Sequence, residues 1–361
     1  MRLVAKIGTS SITDSLGVID TKVVDTVCDQ LATLRSSGHE VILVSSGAVS
    51  AGVAALGMLA RPTDMPTLQA ISAAGQSRLM GTYNRSLARH DLVAAQVLLV
   101  PNDFVDRRQY LHARQTLLRL IELGCIPIIN ENDALASHEL RYGDNDRIAA
   151  LVAHNVNADL LVLLTDTPGL FTADPRTDAS AELIHEVLAD DPLLTVAAGS
   201  TGSTRGSGGM ASKLAAAKMA SWSGTRAVIA SADQPDVLVA AAAGELVGTT
   251  FQPSVRRIAA RKLWIGFASQ VDGVISVDDG ARRALVERGT SLLPAGVTGV
   301  VGSFDDGDVV EVRDSSNALV ARGMVLSDAA TLRGILGKRT SDLPSHVAHE
   351  VIHRDDLVLL T

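Results

Sequence analysis

Two rhythms of apolar and polar residues alternate along the first two thirds of the chain. Short apolar runs at Leu3 to Ile7, Val41 to Val44, Val93 to Val100, Cys125 to Ile129, Leu160 to Leu164 and Ala227 to Ile229 have the length of buried strands. Between them the apolar residues take helical spacing. Asp20 caps a helix whose inner face is Val23, Val24, Val27, Leu31 and Leu34, closed by Gly38. A small-residue helix runs through Ala48, Val49, Ala51 and Gly52, and further helices cover roughly 67–89, 107–123, 146–156 and 210–222. Such alternation predicts an α/β fold, a mostly parallel sheet with helices on both faces.

The rhythm breaks around Gln252 to Lys262, where Pro253, Arg256, Arg257, Arg261 and Lys262 form a basic stretch without periodicity. Beyond it, Gly273 to Val277 reads as a strand and Asp278 to Arg288 as a helix. Short β segments follow at Val297 to Val301, Val309 to Val312 and Leu319 to Val325. The expected organisation is a domain over 1–254, an exposed linker over 255–270 and a small, mainly β domain over 271–361.

Composition changes this picture little. A length of 361 residues agrees with two domains, and 3% aromatic residues means cores of Ala, Val, Leu and Ile. The net charge of −8 argues against a general nucleic-acid binder. Cys28 and Cys125 are far apart and lack metal-type spacing, so they read as reduced thiols. The chain enters a strand at once after Met1, leaving no room for a cleavable signal, and no apolar run approaches membrane-spanning length. The expectation is a soluble cytoplasmic protein.

The candidate chemistry gathers where strands end. Ile128-Ile129-Asn130-Glu131-Asn132-Asp133 leaves one strand in a burst of amides and carboxylates, and Gly143-Asp144-Asn145-Asp146 opens the next helix. One such cluster is ordinary turn and cap chemistry. Two in succession, aimed at the crevice beyond the strands' carboxyl ends, favour a binding site. Lys6 lies inside an apolar strand, where a charge is unfavourable unless it reaches water or meets an anion, and Gly8-Thr9-Ser10 follows as a plausible phosphate seat. Ser45-Ser46-Gly47 repeats the logic weakly. Thr165-Asp166-Thr167-Pro168-Gly169, continuing to Asp174-Pro175, is over-decorated for a plain turn and reads as a nucleotide loop. Gly206-Ser207-Gly208-Gly209-Met210-Ala211-Ser212-Lys213 matches neither a Walker A loop nor a dinucleotide turn, but glycine backbone, a helix start and a lysine suit polyphosphate. His349-Glu350-Val351-Ile352-His353 matches the zinc-protease pattern, yet a β-like setting would hold the two imidazoles roughly 13 Å apart, too far to share a metal.

Taken in order, Lys6-Ile-Gly-Thr-Ser, Ser45-Ser-Gly-Ala, Ile129-Asn-Glu-Asn-Asp-Ala, Gly143-Asp-Asn-Asp, Leu164-Thr-Asp-Thr-Pro-Gly and Gly208-Gly-Met-Ala-Ser-Lys resemble the glutamate kinase branch of the amino acid kinase family. Val271 to about Val351 resembles the PUA domain appended to many bacterial members. The resemblance implies an αβα sandwich kinase domain and ATP-dependent phosphorylation of the L-glutamate γ-carboxylate, the first step of proline biosynthesis. It implies catalytic roles for Lys6, Lys213 and Asp146, and glutamate contacts from Ser46, Asp133, Asn145 and Asp144. ATP would be held by Lys6, Gly8, Thr165, Asp166, Ser207, Gly208, Gly209, Met210, Ala211, Ser212 and Lys213, with Mg2+ carried mainly on phosphate oxygens and its protein ligands unassigned. Proline as feedback inhibitor, a homo-oligomer and glutamyl-phosphate reductase as a partner come with the same resemblance. Alternatives are a kinase for another amino acid, or an RNA-binding or RNA-modifying protein acting through the PUA domain. From Lys262 onward ten Lys and Arg face fourteen Asp and Glu, the wrong sign for a phosphate-backbone footprint.

Overall fold

The computed structural model describes residues 1–361 except 15, 105, 136–144, 190–208, 256–259, 269–270, 344–347 and 361. The chain forms two compact units, Met1–Arg257 and Ile258–Thr361. In the first, the elements run β1 (Arg2–Ile7), α1 (Thr9–Ile12), α2 (Thr21–Ser36), β2 (Glu40–Val44), α3 (Ala48–Ala55), α4 (Met65–Ala88), β3 (Ala94–Leu99), α5 (Arg107–Glu122) and β4 (Ile126–Glu131). They continue as α6 (Asn145–Asn155), β5 (Leu160–Thr165), β6 (Glu186–Val187), α7 (Met210–Trp222), β7 (Arg226–Ser231), α8 (Val237–Ala243) and β8 (Thr249–Phe251). Among the described residues these strands make an eight-stranded sheet in the order β3-β4-β2-β1-β5-β7-β8-β6. Its pairs are parallel except β7 with β8.

Alternation along the central strands creates two cores. Leu3, Ala5 and Ile7 of β1, with Leu43, Val162 and Leu164, pack against Val24, Leu31, Tyr83 and Leu238 of α2, α4 and α8. The opposite face is covered by α5, α6 and α7, which completes the αβα sandwich. The helices start where side chains can cap them: Asp20 accepts from Lys22 N and Val23 N, and Asp106 from Arg108 N and Gln109 N. Strands β6 and β8, of two and three residues, are too short to carry a legible period.

Helices α3 and α4 meet backbone to backbone. A Cβ added at Gly75 would overlap the Ala48 carbonyl oxygen, and one at Gly52 that of Ile71. The contact anchors α4 beside the Ser45-Ser46-Gly47 turn, where Gly47 adopts φ +101° and a side chain would be strained.

The second unit holds α9 (Ala260–Leu263), β9 (Gly273–Val277), α10 (Asp279–Arg288), β10 (Val297–Gly302), β11 (Val309–Arg313), β12 (Leu319–Val325), α11 (Ala329–Ile335) and β13 (Ile352–Leu359). Its sheet order is β10-β9-β11-β12-β13, antiparallel except β9 with β11. Ile275, Val310, Val320, Leu332 and Ile352 lie in its core. The expected linker over 255–270 needs correction: α9 and the π-helical turn Trp264–Ala268 belong to this unit. Ile265 is fully buried, Arg261 pairs with Asp356, and Arg322 donates to the Gly266 carbonyl. The segment thus bonds to β12 and β13, although Arg261 itself stays exposed. Both cysteines are free, and no described helix is long and apolar enough to cross a membrane.

Gly75→Ala should destabilise the first unit by about 1–3 kcal/mol, because the added methyl forces α3 and α4 apart. Urea unfolding of the full chain checks this; an unchanged midpoint would mean the helix contact can open without loss.

Candidate active site

The carboxyl ends of the parallel strands line up as β3, β4, β2, β1, β5, β7, and β1 pairs with β2 on one side and β5 on the other. That divergence is a topological switch point, where α/β sheets bind ligands. Lys6 sits there. Its neighbours Ala5 and Ile7 face the α2/α4/α8 core, so Lys6 turns to the face covered by α6 and α7. Its Nζ lies 2.7 Å from Oδ1 of Asp146 at the start of α6, and Lys213 Nζ from the first turn of α7 lies 3.3 Å from Oδ2. All three are buried, with relative exposures of 4%, 1% and 5% for Lys6, Asp146 and Lys213. Burial alone would push the Asp146 carboxyl up, but the two ammonium groups outweigh it and hold the group below the usual carboxylate range. The trio carries a net positive charge in a nearly dry setting, an environment built to receive an anion.

On the β4 side, the amides of Asn130 and Asn145 meet. Asn145 Nδ2 donates to Asn130 Oδ1 at 3.0 Å, and the Glu131 backbone N–H donates to both Asn130 Oδ1 and Asn145 Oδ1. Asp133 is buried and accepts from Ser72 Oγ at 3.2 Å; burial pushes its carboxyl up to about 6 against the lowering effects of Ser72 and Arg61. Ser46 is buried, and its neighbour Ser45 shares a 2.8 Å hydrogen bond with the hydroxyl of the wholly buried Tyr83. A cavity of about 550 Å3 opens beside Asp133, lined by Ser72, Gln76, Gln96, Glu131 and Asn132 among others.

Sequence reasoning predicted α4, as a helix over roughly 67–89, but not its polar residues beside the crevice. Ser72, Gln76 and Tyr83 share one helix face, and each binds a residue of the crevice or its immediate neighbour. The signal was present: buried polar residues fall in phase with Leu68, Leu79 and Leu87 on the apolar stripe.

On the β5 side, Thr165 is buried and donates to Asp166 Oδ1 at 3.1 Å, and Asp166 is exposed. Gly169 packs its backbone against Thr249, which fixes the loop after β5 on β8. Gly209 caps α7 with no side-chain bond, leaving the backbone N–H groups of the first turn, at Met210 and Ala211, beside the stretch that leads to Ser212 and Lys213. Gly8 lies close to the Lys6 ammonium, 3.5 Å from where a Cβ would stand. Asp144, Ser207 and Gly208 lie outside the described residues.

The donor set bears on magnesium. Among the described residues no group of three or more His, Cys, Asp or Glu could hold a metal, and Asp146 is engaged by two lysines. Asp166, at the end of β5, is an exposed carboxylate. His353 lies in β13, not on a helix, 3.9 Å from Glu350 and 3.6 Å from Asp355, so the HExxH pattern lacks the geometry it needs.

Fold and crevice together define an αβα phosphotransferase, with a dry cationic centre between an amide-rich side and a glycine-opened helix. The amino acid kinase family profile matches residues 1–231, and that of the PUA domain matches 273–347. Relatives called glutamate 5-kinase occur in Mycolicibacterium vanbaalenii, 44% identical over 99% of this chain and 96% of theirs, and in a Synechococcus strain, 45% identical over 99% and 98%. A third, from Caldanaerobacter subterraneus, is 43% identical over 100% and 98%. The chain belongs to the amino acid kinase family, in its glutamate 5-kinase branch.

Asp146→Asn should destabilise the protein by about 3–5 kcal/mol, since two buried ammonium groups would face each other across a neutral amide. A thermal midpoint unchanged from wild type would show that Asp146 does not hold the pair.

Proposed function

We propose that the protein transfers the γ-phosphoryl group of ATP to the side-chain carboxylate of L-glutamate, the entry step of proline biosynthesis. One observation carries the reading: the Lys6–Asp146–Lys213 trio stands at the switch point between the β4 side and the β5 side, in a chain whose relatives are glutamate 5-kinases. A γ-carboxylate oxygen attacks the γ-phosphorus, the bond from that phosphorus to the bridging oxygen breaks, and ADP leaves with the electron pair. The nucleophile is already deprotonated at neutral pH, so no base is required. Catalysis reduces to alignment and neutralisation of the charge that spreads over the transferring oxygens.

In this reading Lys6 and Lys213 neutralise the phosphoryl group, and Asp146 sets their spacing. Ser46, Asp133 and Asn145, with Asp144, hold glutamate. Thr165, Asp166 and the segment from Ser207 to Lys213 hold the nucleotide, with Gly8 beside it. Bound Mg2+ supplies charge neutralisation on the phosphates. Inhibition by L-proline, a homo-oligomer, hand-over to glutamyl-phosphate reductase and a cytoplasmic setting belong to the same reading and rest on family resemblance alone.

With ATP, Mg2+ and hydroxylamine to trap the acyl phosphate, the full chain should form hydroxamate from L-glutamate and far less from L-aspartate. Equal rates with both, or none with glutamate, would sink the assignment.

The Asp133 carboxyl, raised to about 6, adds a pH signature. Its folded value exceeds the unfolded one, so its stabilising contribution is complete below about pH 4 and is lost as pH rises through about 6. An ammonium ligand prefers the ionised form. The KM for glutamate should therefore fall as pH rises from about 5 to 7, and Asp133→Asn should flatten that profile while raising the KM at pH 7. A slope that survives in Asp133→Asn would assign the titration elsewhere.

A further inference from the structure

Gln76 touches none of the residues that the reading above places on phosphate, yet it stands in a chain of amides that runs from the buried Asn145 and Asn130 out to the exposed Gln96. Asn130 Nδ2 donates to Gln76 Oε1 at 2.8 Å, and Gln76 Nε2 donates to Gln96 Oε1 at 3.1 Å. At the other end, Asn130 Oδ1 accepts from Asn145 Nδ2 and from the Glu131 backbone N–H. An amide can be turned either way in space, so something must decide its direction. Here the decision falls to a group that cannot turn. The Glu131 N–H points at both Asn130 and Asn145, at 2.9 and 3.0 Å, and requires an oxygen from each. Asn130 must then present its nitrogen to α4, where only an acceptor satisfies it, and Gln76 is that acceptor. Asn130 and Gln76 are buried, with relative exposures of 1% and 8%, so water is a poor substitute.

We propose that Gln76 is a positioning residue for substrate binding: by accepting from Asn130 it locks the direction of the Asn130 amide and, through it, that of Asn145. Gln96, on the edge strand β3, terminates the relay and holds Gln76 in turn. Without the Gln76 oxygen, Asn130 either keeps a buried unpaired donor or turns over, and turning over sets its nitrogen against two donors, the Glu131 N–H and Asn145 Nδ2. Asn145 then loses its fixed direction, although every residue in contact with phosphate is untouched. The consequence should appear on the amino-acid side alone. The inference rests on the reading of Asn145 as a glutamate contact.

Steady-state kinetics of the full chain with the hydroxamate trap tests it, comparing wild type with Gln76→Met, which keeps the side chain's length and removes its polarity. The expected result is a rise of about tenfold in the KM for glutamate, with the KM for ATP within about twofold and kcat within about threefold of wild type. Gln76→Glu at pH 6 supplies the rescue. Burial near Glu131 and Asp133 favours the protonated acid, whose carbonyl accepts from Asn130 and whose O–H donates to Gln96. Its KM for glutamate should lie within about threefold of wild type at the same pH. A wild-type KM for glutamate in Gln76→Met, equal rises for both substrates, or no recovery in a folded Gln76→Glu would overturn the proposal. If Gln76→Met loses its thermal transition, Gln96→Leu decides: a glutamate-only rise of about threefold supports the relay, and no rise overturns it. Wild type inactive with glutamate would instead bring down the substrate reading itself, a failure visible before any variant is made.

Discussion

Asp146 and the two lysines it holds bind together parts of the first unit that are distant in sequence. Lys6 comes from β1, Asp146 from the start of α6 and Lys213 from α7, and the three meet in a setting with almost no water. Two ammonium groups buried this deeply repel each other and have lost their hydration. The carboxylate wedged between them offsets that cost. The pairing therefore constrains where α6 and α7 lie against β1. It also concentrates two cationic side chains at the switch point. The interaction that keeps the centre assembled is thus the one that gives it an affinity for anions.

Helix α4 is the second organiser, and it works with neutral groups. Its contact with α3 through Gly52 and Gly75 admits no side chain, so the helix cannot slide without breaking backbone packing. From that fixed position one face reaches Asp133 through Ser72, Asn130 through Gln76 and Ser45 through Tyr83. Neutral hydrogen bonds in a dry interior are directional, so these contacts fix side-chain orientation rather than charge. The two sides of the crevice thus differ in kind: paired charges at the switch point, oriented neutral dipoles beside β4.

The strands and helices of both units were legible along the chain because burial imposes a period that a sequence cannot disguise. Continuous apolar runs marked β1, β2, β4 and β5, and caps such as Asp20 marked helix starts. What escaped were elements too short or too mixed to show a period: β6, β8, α11 and the α9 segment mistaken for linker. In the last case a run of basic residues, Arg261 among them exposed, hid a segment that buries Ile265 and bonds to β12 and β13.

The crevice divides in the same way. A lysine inside an apolar strand, two bursts of amides and carboxylates, and a glycine-rich helix start are local anomalies, so Lys6, Asn145, Asp146 and Lys213 could be picked out from composition and position alone. Their partnership could not. Lys6 and Lys213 are brought to opposite oxygens of one carboxylate by the parallel order of β2, β1 and β5, a non-local fact. Ser72, Gln76 and Tyr83 were hidden for a related reason: a polar residue on a buried helical stripe looks like a defect until its partner across the fold is known. The chain's own pattern determined the elements and the kinds of group available. Tertiary packing decided which of them share a dry space, because burial and the neighbour a group meets there, rather than its identity, set whether it is charged, which way it points and what it can bind.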